Sequence, residues 1–146
     1  MTNEEPGLVD PNDEAVDEGY EPVNVGIGSA AHRRLQRLKD DGYFAELMDG
    51  YRFAVGLAIA HGGATTEFRE RKNMFNVGSL DPDKRLYYAV SALRRPDALP
   101  VYKTMEQLAT WGVNELDRRA SEGTLSFSDI LAAAGDLTVA GEDEES

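Results

Sequence analysis

A chain of 146 residues is of single-domain length and long enough to bury a core without cross-links. It contains no cysteine, which excludes disulfide scaffolds, thiolate metal sites and cysteine nucleophiles. The formal net charge is −12, and the whole excess lies at the two ends: residues 1–21 carry eight acids and residues 141–146 four, without a Lys or Arg in either, while residues 22–140 hold fifteen of each sign.

Residues 1–22 are rich in Asp, Glu, Pro, Gly and Asn with isolated apolar side chains, and such a segment buries too little surface to offset its ordering entropy. Residues 1–22 and 141–146 are therefore expected to be disordered acidic tails around one helical domain over 23–140. Solvated tails are the simplest reading. Four Lys against eleven Arg and abundant acids also fit a halophilic surface, and a tail that covers a basic face is the third alternative. The N-terminus has neither a basic nor an apolar signal region, and the longest apolar run, Phe53 to Ala60, is far short of a membrane span. The expectation is a cytoplasmic protein that does not enter a membrane.

Val23-Asn24-Val25-Gly26-Ile27 alternates apolar with small or polar residues, the pattern of a short half-buried strand. Gly28 turns the chain and Ser29 is a suitable cap for a basic helix over 30–40, with Ala31, Leu35 and Leu38 as its inner stripe and Gly42 placed to end it. Over 43–61, Phe44, Leu47, Met48, Tyr51, Val55, Ala58 and Ile59 recur at spacings of three and four, which predicts the central amphipathic helix. Residues 62–80 read as a long basic connection, part of 64–72 helical. Asp81-Pro82 opens a helix with Leu86, Tyr87, Val90 and Leu93 inward. Another follows from about Thr104 to Ala120, with Met105, Leu108, Gly112 and Leu116 inward and Trp111 and Val113 at the edges. A last short helix would carry Phe127, Ile130 and Leu131 and end at Gly135. The predicted class is mainly α: about five helices and one short N-terminal strand. A lone strand needs a backbone partner, and the same strand of a second copy would make a two-fold homodimer.

The strand, basic helix and apolar helix over 23–61 resemble the ribbon-helix-helix DNA-binding family. That resemblance implies strands of two subunits paired in the major groove, with Val23, Val25 and Ile27 toward the helices and Asn24, Gly26 and Gly28 toward the groove. Of that outward face only Asn24 offers a base-reading group. Arg33, Arg34, Arg37 and Lys39 on the helix, with Arg69, Arg71 and Lys72 further on, are candidates for phosphate contacts.

The run Tyr43-Phe44-Ala45-Glu46-Leu47-Met48-Asp49-Gly50-Tyr51-Arg52-Phe53-Ala54-Val55-Gly56-Leu57, together with Ala109-Thr110-Trp111-Gly112-Val113, is similar to small proteins associated with DNA-phosphorothioation (Dnd) systems over residues 43–120. This resemblance implies a setting of DNA modification or defence and no particular activity. The acidic tails depart from it.

Other constellations have plainer explanations. Gly26-Ile27-Gly28-Ser29-Ala30-Ala31 fits a dinucleotide fingerprint, but the following helix leads into another helix and not into a second parallel strand. His32 and His61 lack ligand spacing. Asp81 and Asp83 suit a helix N-terminus, and Asp40 and Asp41 a solvated helix end. Tyr87, Tyr88, Tyr102 and Trp111 are capable of stacking on bases, but core packing explains their helical spacing. The sequence therefore predicts a non-enzymatic accessory or interaction protein without cofactor or metal, in a small homo-oligomer with a protein partner, in a DNA-linked setting. The alternative is a DNA-binding regulator of ribbon-helix-helix type with an autoinhibitory acidic tail.

Overall fold

The computed structural model describes residues 24–93 and 99–126. Their order is β1 (Asn24–Gly28), α1 (Ser29–Asp40), α2 (Leu47–Ala60), β2 (Arg71–Asn76), α3 (Val77–Leu80), α4 (Arg85–Leu93) and α5 (Val101–Ser121). The class is mainly α, as the periodicity predicts. The acidic ends and the helix expected around Phe127, Ile130, Leu131 and Gly135 lie outside the described residues. No described helix is long and apolar enough to cross a membrane.

The stripe of α1 is buried as its spacing requires: Ala31, Leu35 and Leu38 are shielded from solvent. Gly42, at φ 91°, ends the helix in the left-handed conformation. The Gly42 and Tyr43 N–H groups donate to the Lys39 and Leu38 carbonyls, which satisfies the last turn. The central helix α2 begins at Leu47, and Glu46 before it is extended. It is buried on most of its circumference, Phe53 and Ala54 as well as Tyr51, Val55 and Ala58. Its main partner is α5, whose Met105, Leu108, Gly112 and Leu116 face inward as expected, while Val113 lies in the core and not at its edge. At the crossing the two backbones approach so closely that a Cβ on Gly112 would collide with the Ala54 peptide.

The N-terminus of α4 is capped at a distance. Asp81 follows α3, yet its carboxylate accepts the Leu86 and Tyr87 N–H groups, both at 2.9 Å, so the capping role expected of it holds although the helix starts four residues later. Burial of Asp81 follows from that pairing.

Three expectations for 23–80 are corrected. Residues 64–70, part of which was expected to be helical, hold no helix, and the strand β2 follows them; β1 pairs antiparallel with it: Val25 opposite Phe75, Ile27 opposite Lys72, Gly28 opposite Arg71, with a bulge between Val25 and Gly26. The partner of β1 is thus in its own chain, not in a second copy. The other edge of β1 is filled by side chains. Gly26 N–H donates to Glu106 Oε2 at 2.8 Å, Gly28 N–H donates to Thr110 Oγ1 at 3.1 Å, and the Tyr51 hydroxyl donates to the Gly26 carbonyl at 2.7 Å. Helix α5 therefore stands in for a third strand, one residue pair per helical turn. Nor are Gly26 and Gly28 open to a groove: both are buried, Gly26 against the Lys72 carbonyl and Gly28 against the Phe68 ring.

Candidate nucleic-acid interface

The eight residues expected to meet DNA fall into three groups. Asn24 is exposed at the start of β1, opposite Asn76. It lies at the far end of the strand from the basic residues that cluster around the start of α1.

Arg34, Arg37 and Arg71 are engaged by side chains of α5. Arg34 Nη1 donates to Asn114 Oδ1 at 2.7 Å, and its Nε lies 3.8 Å from Asp117. Arg37 Nη2 donates to both Asp117 oxygens, at 2.7 and 2.8 Å. These contacts fasten one flank of α1 to α5. Arg71 Nη2 donates to Glu106 Oε2 at 2.9 Å. The Glu106 side chain is 4% exposed, and its charge is tolerated there because Arg71 and the Gly26 N–H both donate to it. This pairing raises the Arg71 pKa, the hydrogen bond to Glu106 being the largest cause.

Arg33, Lys39, Arg69 and Lys72 form the third group and make no ion pair among the described residues. Arg33 and Arg69 border one open recess of about 330 Å³ against the first turn of α1, with Thr110 and Asn114 of α5 also in its wall. Glu67 and Glu70 stand on its rim, and the Glu70 carbonyl accepts the Ser29 N–H at 2.8 Å, which carries the chain over the helix start into β2. The pKa of His32 is lowered first by partial burial and then by the charges of Lys72 and Arg33, so a residue of α1 senses cations from two elements. Lys39 is seven residues beyond His32 and shares its helix face.

Most of the remaining candidates are structural, but core packing does not account for Tyr88. His61 Nδ1 lies 3.0 Å from the Leu57 carbonyl and its ring packs 5.3 Å from that of Trp111. Tyr102 is buried against Tyr87, while Tyr88 projects at 64% exposure. Asp83 pairs with Arg85 at 3.0 Å. Among the described residues no three His, Asp or Glu side chains gather as a metal site would require.

Sequence reasoning missed Glu106 and Thr110. Their signal was available: a Glu and a Thr four apart inside the apolar run Met105 to Val113 place polar groups on a face that must be buried. No family model, no curated protein and no solved structure matches this chain. The two family resemblances therefore rest on the quoted residues alone.

Proposed function

We propose that this is a non-enzymatic accessory protein that engages DNA through its phosphates, using the unpaired cations of α1, of β2 and of the connection before β2. The observation that carries the reading is the division among the basic residues. Three of the seven candidate cations are ion-paired with Asp117 or Glu106, Arg34 and Arg37 sharing Asp117, whereas Arg33, Lys39, Arg69 and Lys72 have no carboxylate partner among the described residues. Contacts of this kind position a protein on a duplex without selecting sequence. Asn24, the one candidate for base reading, stands apart from them. A setting of DNA modification or defence is supported by the resemblance over residues 43–120.

The test is fluorescence anisotropy of the full chain with a mixed-sequence duplex over a salt series. Three to four phosphate contacts imply a log–log salt slope of about −3 and an affinity in the micromolar range or weaker. The triple variant Arg33→Ala, Arg69→Ala, Lys72→Ala is expected to lose at least about tenfold in affinity and to flatten that slope. Arg118→Ala is the control, because Arg118 is paired with Glu115 and Glu122 at the other end of α5. Absence of wild-type binding at the lowest salt, or equal binding by the triple variant, rules the reading out.

The working unit in this reading is a single chain. Both edges of β1 are filled, and the outer edge of β2 carries Arg71, Lys72 and a bulge, features that discourage strand addition. Light scattering is expected to return a particle of 16.0 kDa. Twice that mass would restore the homodimer and require an interface elsewhere.

A further inference from the structure

We propose that the acidic N-terminal segment, residues 1–21, lies across the basic group of α1 and β2 in the free protein and competes with DNA for it. The competition rests on the DNA reading above, but the docking does not.

Three observations support the contact. Residues 1–21 carry eight acids and no Lys or Arg, whereas residues 22–140 are balanced at fifteen of each sign, so this segment holds acids that the rest of the chain does not neutralise. Arg33, Lys39, Arg69 and Lys72 are cations without ion-pair partners among the described residues. Connectivity brings the two sets together. The segment leads into β1 at Asn24, and the five residues of β1 span about 13 Å to the start of α1. Glu21, Glu18 and Asp17 precede Asn24 by three, six and seven residues. At about 3.3 Å per residue an extended chain covers that distance within four residues. Attachment to β1 also makes the encounter intramolecular, at an effective concentration that a separate peptide would not reach.

His32 is a built-in reporter because, after its partial burial, the charges of Lys72 on β2 and of Arg33 next to it on α1 lower its pKa. Carboxylates placed there favour its charged form and raise its pKa. His32 and His61 are the chain's two histidines, and His61 packs against Trp111.

The experiment titrates both histidines by NMR in three full-length chains at low ionic strength: wild type, a chain with all eight acids of residues 1–21 changed to their amides, and a chain with Glu142, Asp143, Glu144 and Glu145 so changed. The expected result is a His32 pKa at least about 0.3 higher in wild type than in the N-terminally neutralised chain, with a smaller change at His61 and no difference for the C-terminal variant. Salt provides a second measurement on wild type alone. Without docking, screening relieves the repulsion from Lys72 and Arg33, and the His32 pKa rises with salt; with the acids in place it stays level or falls. Equal His32 values in wild type and the N-terminally neutralised chain, an equal change at both histidines, or a rise with salt in wild type overturns the proposal. If DNA binds, the N-terminally neutralised chain is expected to bind at least about tenfold tighter than wild type, and unchanged affinity removes the competition. If DNA does not bind at all, the DNA reading fails and the histidine titrations still decide the docking.

Discussion

Glu106→Ala is expected to be among the most destabilising single changes in this protein, costing about 3–5 kcal/mol in chemical unfolding. The carboxylate lies on the inner face of α5, accepts from the Gly26 N–H at 2.8 Å and from Arg71 Nη2 at 2.9 Å, and so joins both strands to the longest helix. Alanine leaves a buried N–H without an acceptor and a guanidinium without its counter-charge. Each loss is costly because water cannot reach the edge of β1 freely. Glu106→Gln separates the two losses. The amide oxygen still accepts from Gly26, while the charge opposite Arg71 is gone, so this variant is expected to fall between wild type and alanine. A Glu106→Ala protein within about 1 kcal/mol of wild type would mean that α5 does not close the sheet.

Gly112→Ala is expected to destabilise the protein by about 2–3 kcal/mol, although alanine is the better helix former by about 1 kcal/mol. Overpacking decides the sign. The added methyl would meet the backbone of Ala54 on α2 and not the end of a flexible side chain, so the helices must move apart, and core overpacking typically costs about 1–3 kcal/mol or more. A bulkier Gly112→Val change adds the penalty of a β-branched residue and should abolish cooperative unfolding. The comparison position is Gly123, which has open space around it but φ 74°, so Gly123→Ala incurs backbone strain alone and should cost about 1–2 kcal/mol. Equal effects at Gly112 and Gly123 would show that the α2–α5 approach is less tight than this geometry requires.

Local chemistry was enough for several elements, because the signals involve residues close in sequence. The spacing of Ala31, Leu35 and Leu38 determines the buried face of α1, and Gly42 its end, through contacts made within one or two turns. The alternation Val25, Gly26, Ile27 defines a strand in the same way. The capping chemistry of Asp81 could also be read from sequence, although the side chain reaches five and six residues forward and not two or three. Charge partition needed nothing beyond composition: the excess of acids belongs to the ends.

Partners far apart in the chain were decided by tertiary structure. Arg71-Lys72-Asn73-Met74-Phe75-Asn76 has no clean alternation, and it is a strand because β1, far away in sequence, offers it a ladder. Seven basic candidates look alike in sequence. Folding divides them, since Asp117 lies eighty residues from Arg37 and Glu106 thirty-five from Arg71, and only packing of α5 against α1 and the sheet strand β1 brings those acids within hydrogen-bond reach. A charge pattern shows which residues are able to hold a phosphate. Which of them remain unneutralised depends on where the acids of a distant helix come to rest, because pairing requires a separation of a few ångströms that sequence spacing does not encode.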